Sequence, residues 1–173
     1  MTKTISIQYY TTAVGELILG ATDGRLCLCD WRYRKMRDAV NSRIKKTLNA
    51  KFVEQGDAVI DLAIQQLEEY FLQQRREFDV PLLTAGTSFQ KLVWDQLQQI
   101  PYGSVASYKQ LAEKMDNPKA VRAVASANGA NALSIFVPCH RIIGSNGQLV
   151  GYAGGLPAKQ KLLALESDLF ALS

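Results

Sequence analysis

The residues best equipped for chemistry are consecutive: Cys139, His140 and Arg141, preceded by Pro138. A thiol is a strong nucleophile only as the thiolate, which a nearby base or positive charge favours and apolar burial opposes. An imidazole and a guanidinium directly after the cysteine supply both. Direct contact between Cys139 and His140 is awkward, however, because neighbouring side chains of extended backbone point to opposite faces. A bridging water, or a turn at Pro138, is needed for His140 to take the thiol proton. The imidazole also needs an orienting partner, for which a carboxylate from elsewhere in the fold is the usual solution. Without further context Cys139 is also readable as a core cysteine, the commoner fate of a free thiol. Cys27 and Cys29 fit that role well, because they alternate along one apolar strand and so point to one, inner, face.

The elements that must position these residues follow from pattern. Strands are expected over residues 4–10, 16–21 and 25–31, the last two joined by a turn containing Asp23-Gly24, which makes a small antiparallel meander. A polar helix is expected over 35–46 and a better one over 57–74, where Leu62, Ala63, Leu67, Tyr70 and Phe71 recur at helical spacing. A strand over 77–83 and the Thr84-Ala85-Gly86 link then close a first domain, 1–86, ahead of a second, 87–173. Thr87 and Gln90 stand at capping-box spacing before the stripe Phe89, Leu92, Val93, Leu97 and Ile100, which the Pro101-Tyr102-Gly103 turn ends. Ser107 and Gln110 repeat the box, and Asn117-Pro118 offers an N-cap and a first-turn proline. Helices over 107–115 and 118–127 then have the shape of a helix-turn-helix, a shape that many proteins also use away from DNA. Residues 133–137 read as a buried strand or extended segment leading to Cys139, Asn146-Gly147 as the tip of a short hairpin wing, and 158–166 or beyond as a last helix. The expected class is α+β, a small antiparallel sheet with helix followed by a mainly helical domain.

Composition narrows the function. Three cysteines and one histidine among 173 residues make neither a disulfide framework nor a zinc site, so no metal and no cofactor are expected. The first ten residues lack a signal pattern, and no apolar run approaches the roughly 18 to 20 residues that cross a bilayer, so the expectation is a cytoplasmic protein without a membrane partner. Residues 1–86 carry 12 basic and 11 acidic side chains, whereas 87–173 carry eight and five. The excess in the second half permits a polyanion partner and is equally the mark of a solvated basic face.

Three blocks carry more than any single motif: GTSFQKLVWDQLQQIPYGSVASYKQLA, then NPKAVRAVASANGANALSIFVPCHRIIGSNGQLVGYAGG, then KQKLLALE. In these the chain resembles the methylated-DNA--protein-cysteine methyltransferases, the O6-alkylguanine-DNA alkyltransferases, of the constitutive bacterial type. The resemblance covers the C-terminal half and implies a ribonuclease H-like N-terminal domain. It implies an enzyme that moves an alkyl group from O6-alkylguanine, or O4-alkylthymine, in double-stranded DNA onto Cys139, irreversibly and once per molecule. The protein would act as a monomer, with cooperative binding along DNA left open.

The same resemblance assigns roles. Glu166, His140 and a water would activate Cys139, Asn131 would brace the site, and Tyr108 would protonate the leaving guanine and press on the target phosphate. Arg122 would enter the base stack in place of the extruded base. Ile142, Tyr152 and Ala153 would line the base pocket, Ile142 and Cys139 through their carbonyls and Ala153, where many relatives carry serine, through its main-chain N–H. The family lays its second hairpin helix in the minor groove, about 6 Å wide against about 12 Å for the major groove, which calls for short side chains. Ala123, Ala125, Ser126 and Ala127 are short. Two other classes stand beside this reading: a turnover hydrolase built on Cys139 and His140, and a lesion-binding protein without transfer, in whose relatives the acceptor cysteine is replaced.

Overall fold

β-Branched and aromatic residues dominate the first strand, β1 (Lys3–Thr12), which pairs antiparallel with β2 (Gly15–Thr22). β2 pairs antiparallel in turn with β3 (Arg25–Trp31). The turn between them is the expected one: Asp23 and Gly24 both have positive φ, 51° and 73°, the conformation of a type I′ hairpin. The structure, a computed structural model, describes residues 3–167, and the chain divides after Gly86 into two compact units.

The first unit departs from the expected meander in one strand. β4 (Ala50–Glu54), only five residues long, lies parallel to β1 and makes the sheet mixed, in the order β3-β2-β1-β4. It follows α1 (Arg37–Leu48), whose end turns through Asn49 at a φ of 49°. The strand expected over 77–83 is reduced to one bridge between Leu26 and Leu82 on the β3 edge, since Pro81 sits there with no N–H to extend a ladder. α2 (Ala58–Phe71) is capped by Asp57, whose carboxylate accepts from the Val59 N–H, and stops three residues short of Gln74. There Gln74 N–H reaches the Glu69 carbonyl and Gln73 N–H the Tyr70 carbonyl, a Schellman closure with Gln73 at a φ of 61°. Ile5, Leu17, Leu19, Ile44, Ile60, Leu67 and Tyr70 are fully buried. Cys27 and Cys29 are buried too, but so are Leu26 and Leu28, so both faces of β3 are covered rather than one.

In the second unit, α3 (Ser88–Leu97) and α4 (Tyr108–Lys114) each begin with the capping box that the sequence spells, Thr87 with Gln90 and Ser107 with Gln110. α5 (Val121–Gly129) starts three residues later than Asn117-Pro118 suggests. Asn117 N–H closes α4 on the Ala112 carbonyl while Asp116, at a φ of 55°, bonds Glu113, and the Asn117 carbonyl accepts the Ala120 N–H in a turn ahead of α5. The two helices pack as a hairpin across that turn. Residues 133–137 are buried but form a tight loop rather than a strand, with Val137 N–H bonded to the Leu133 carbonyl and Ile135 at a φ of 74°. A β-branched residue in that region is strained, and such strain persists only where surrounding contacts enforce it.

The expected wing is reduced to one turn. Gly144 N–H bonds the Gln148 carbonyl at 2.7 Å, but of Asn146 and Gly147 only the glycine has positive φ, and no strand returns. Instead β6 (Ile142–Ile143) pairs parallel with β5 (Ala106–Ser107). The last described helix, α6 (Leu156–Leu165), carries Glu166 as its C-cap; any extension past residue 167 lies outside the described residues. Among the described residues no helix is long and apolar enough to cross a membrane, and no group of three His, Cys, Asp or Glu could hold a metal ion.

Candidate active site

Cys139 opens a single 3-10 turn, Cys139–Arg141, that Pro138 introduces and that Cys139 itself closes by accepting the Ile142 N–H. The local chain is therefore a turn rather than an extended segment, and Cys139 is only 4% exposed. Its sulfur lies 3.1 Å from the side-chain amide nitrogen of Asn131, which also donates to the Val137 carbonyl at 2.9 Å. The Asn131 side-chain oxygen accepts the Leu133 N–H at 3.0 Å. One asparagine thus ties both ends of the strained loop and touches the thiol that the loop delivers.

Behind the thiol, His140 and Glu166 are fully enclosed, with His140 Nε2 2.7 Å from Glu166 Oε2. Burial alone pushes the Glu166 carboxyl up, but hydrogen bonds from His140 and Arg141, with their charges, hold it down at about 2. Since the carboxylate can only accept, His140 Nε2 carries the proton, and Nδ1 is left as the bare acceptor. Nδ1 is buried with no hydrogen-bond partner among the described residues, so thiol and imidazole do not bond directly. Burial moves the His140 pKa down, against the pull of Glu166 and with the help of the Arg141 and Lys159 charges, which keeps the ring a neutral base.

Arg141 completes the support. Its guanidinium forks onto Glu166, Nε to Oε1 at 2.8 Å and Nη2 to Oε2 at 3.0 Å, and Nη1 donates to the Ile100 carbonyl at 2.7 Å. The Pro101-Tyr102-Gly103 turn does more than end α3. Tyr102 hydroxyl donates to the Leu165 carbonyl at 3.1 Å, and a Cβ on Gly103 would stand 3.2 Å from the Glu166 carbonyl oxygen, at a φ of 81° that only glycine takes readily.

Lys159 enters the sequence pattern only as one of the eight basic residues of 87–173. It is wholly buried, donates to the carbonyls of Val150 at 2.9 Å and Gly151 at 3.5 Å, and has no carboxylate partner among the described residues. Burial lowers its pKa, and the charge of the Cys139 thiolate raises it again. With Arg141 and Glu166 cancelling, the buried set carries one excess positive charge, which ionisation of Cys139 neutralises. The signal was in the sequence: Lys159, Leu162 and Glu166 fall at the i, i+3 and i+7 spacing of one helix face. We expect Lys159→Met, which keeps the stem's volume, to slow reaction at Cys139 tenfold or more at neutral pH and less at alkaline pH, read as the thiol's rate with a small alkylating reagent.

Around the thiol, Tyr108 is half-buried at the start of α4, with its hydroxyl 3.3 Å from the Asn128 side-chain nitrogen. Burial raises its pKa, the Asn128 hydrogen bond lowers it, and the Cys139 charge raises it, which places the phenol within the field of the Cys139 thiolate. The Tyr152 ring stands edge-on to His140, centroids 6.5 Å apart, and Ala153 lies in the turn that Gly155 N–H closes onto the Tyr152 carbonyl. Ile142 is fully buried in β6.

The α5 residues separate into two groups. Arg122, Ala123 and Ser126 are exposed, and Arg122 has no hydrogen-bond or ion-pair partner among the described residues. Ala127, expected beside them on a groove-facing surface, is 2% exposed, and its carbonyl accepts from Trp94 Nε1 at 2.9 Å. Its small size serves close packing of α5 on α3, and Ala125 is intermediate.

Cys27 and Cys29 contrast with Cys139. Burial pushes Cys27 up to about 12 and Cys29 well above its ordinary value, so neither thiol ionises near neutrality.

Comparison with known proteins agrees with both units. Residues 88–168 match the family described as 6-O-methylguanine DNA methyltransferase, DNA binding domain, and residues 5–84 match its ribonuclease-like domain. The constitutive methylated-DNA--protein-cysteine methyltransferase of Bacillus subtilis is 44% identical over 156 residues, spanning 86% of this chain and 88% of the relative. The enzyme of that name from Methanosarcina acetivorans is 53% identical over 106 residues, 61% of this chain and 68% of the relative. Among solved structures, Mycobacterium tuberculosis OGT in complex with DNA is 36% identical with a TM-score of 0.81, covering 94% of this chain and 92% of that one. These likenesses run through both units, and the chain belongs to the methylated-DNA--protein-cysteine methyltransferase family.

Proposed function

We propose that the protein repairs alkylated DNA by direct reversal: Cys139 takes the alkyl group from O6-alkylguanine, and from O4-alkylthymine, in duplex DNA, once per molecule. The observation that carries this reading is the buried Cys139 sulfur held by Asn131 in front of the neutral His140 base, itself fixed by Glu166 and Arg141. The thiol proton passes through a bridging water to His140 Nδ1, and the thiolate displaces guanine at the alkyl carbon. The S–C bond forms as the C–O6 bond breaks. Guanine leaves as an anion unless protonated, and Tyr108 is the acid within the site that can supply the proton. The product is a thioether, and nothing in the site reverses it.

Reaching O6 requires the base outside the duplex, at a cost of a few kcal/mol that phosphate contacts and an inserted side chain offset. Exposed and unpaired, Arg122 suits that insertion, with Ala123 and Ser126 on the α5 surface that enters the minor groove. The second unit then binds DNA and accepts the alkyl group, as the DNA-bound Mycobacterium relative suggests. Ile142, Tyr152 and the Ala153 amide close around the base.

The test is intact-mass and peptide analysis after incubation with a duplex containing O6-methylguanine. One methyl should appear per molecule, on the Cys139 peptide and not on those of Cys27 or Cys29. Continued release of product beyond one equivalent would instead make the protein a turnover hydrolase.

A pH dependence follows from His140. Because its folded pKa lies below the ordinary 6.5, the base stays neutral through neutrality, and protonation removes it only as pH falls below that value. Single-turnover transfer should therefore be flat down to about pH 6.5 and fall beneath it. A decline centred above that pH would contradict the neutral-base assignment.

A further inference from the structure

We infer that Asn128 is a positioning residue for Tyr108, holding the phenol so that its O–H is free to protonate the departing base. This rests on the alkyl-transfer reading above. Asn128, near the end of α5, is 6% exposed, and its amide nitrogen stands 3.3 Å from the Tyr108 oxygen, on a residue twenty positions away. A phenol has one proton to give and lone pairs to receive. An amide N–H placed on a lone pair leaves the phenolic proton for another acceptor and stabilises the phenolate once that proton has gone. The amide oxygen of Asn128 is buried with no partner among the described residues.

The same turn of chain also reaches the nucleophile. Asn128 carbonyl accepts the Asn131 N–H at 3.2 Å, and the Asn131 side chain touches the Cys139 sulfur. Trp94 pins the adjacent Ala127 carbonyl. Residues 127–131 therefore set acid and nucleophile relative to each other, Asn128 on the phenol and Asn131 on the thiol. In the step itself the methyl passes from O6 to sulfur, the thiol proton goes to His140, and the Tyr108 proton goes to a guanine ring nitrogen. The resulting phenolate rests on the Asn128 N–H, and exchange with solvent returns His140 and Tyr108 to neutrality.

The experiment measures single-turnover transfer from an O6-methylguanine duplex for Asn128→Ala and Asn128→Asp, each with Tyr108 intact and in a Tyr108→Phe background. Circular dichroism and duplex affinity serve as folding checks. With Tyr108 present, Asn128→Ala should slow transfer about tenfold. Asn128→Asp should be slower still, because a carboxylate of the same shape accepts the phenolic proton that the base needs. In the Tyr108→Phe background the Asn128→Ala effect should nearly vanish. The alkaline limb, where Tyr108 ionises, should move to higher pH in Asn128→Ala, since the bond that favours the phenolate is gone. Equal slowing in both backgrounds, or an unmoved alkaline limb, overturns the inference while leaving alkyl transfer standing. A wild-type protein that leaves the methyl on DNA overturns the transfer reading itself.

Discussion

Cys139→Ala should bind a duplex containing O6-methylguanine with affinity within about twofold of the wild type and remove none of its methyl groups. Binding survives because the atom deleted is small, enclosed and 4% exposed, while the exposed Arg122, Ala123 and Ser126 are untouched. Transfer is lost because no other thiol can replace it: the burial that pushes Cys27 up to about 12, and Cys29 higher still, denies either a thiolate at neutral pH. Gel shift and methyl counting on the recovered DNA give the two readouts. Transfer retained at even a hundredth of the wild-type rate would mean that the acceptor lies elsewhere. Cys139→Ser should fare no better in transfer. Asn131 can still donate to its hydroxyl, but an alcohol ionises far less readily than a thiol beside the same base, and one excess positive charge from Lys159 does not close that gap.

The capping boxes at Thr87 and Ser107 were legible because a side chain and a backbone N–H three residues on make a closed local unit, needing nothing from the rest of the fold. Asp23-Gly24 was legible for the same reason. What escaped depended on long-range partners. β4 is a strand because β1 offers it an edge, not because AKFVE alternates. Asn117 looks like an N-cap in sequence, but its carbonyl accepts the Ala120 N–H in a separate turn, and α5 begins only at Val121. The apolarity of residues 133–137 suggests a buried strand or extended segment, but apolarity reports burial rather than backbone form. There the deciding residue is Asn131, whose side chain bonds both Leu133 and Val137 and bends the loop.

Cys139 and His140 stood out by adjacency, yet their supports are scattered. Arg141 was visible in the motif, but its fork onto Glu166 and its bond to the Ile100 carbonyl cross 25 and 41 residues. Lys159 and Asn128 gave a weaker signal still, each a polar group on a buried helix face. A charge at core spacing is the kind of local contradiction that marks a functional position. In α6 the contradiction occurs twice, at Lys159 and Glu166, and the site draws on both.

Glu166→Gln is the sharpest test of that arrangement, because it keeps shape and removes charge. The amide oxygen can still receive the His140 Nε2 proton, but its NH2 then faces the Arg141 fork, donor against donor. A buried guanidinium left without its carboxylate costs about 3 to 5 kcal/mol. Transfer should fall about 10² to 10³-fold, since the imidazole keeps its acceptor but loses the charge that stabilises its protonated form. Acid stability supplies an independent check. The folded carboxyl sits at about 2 against an ordinary 4.5, so its contribution is fully present above 4.5 and is lost as pH falls from there through 2. That difference corresponds to about 3 kcal/mol, and Glu166→Gln should lose it at every pH. Measured by denaturant unfolding at neutral pH and near pH 3, the gap between variant and wild type should therefore narrow in acid. Arg141→Met added to Glu166→Gln should recover part of the neutral-pH stability, because it removes the stranded charge, while leaving transfer low. Equal stability losses at both pH values would place the Glu166 carboxylate outside the buried ion pair and remove the support on which His140 acts as a base.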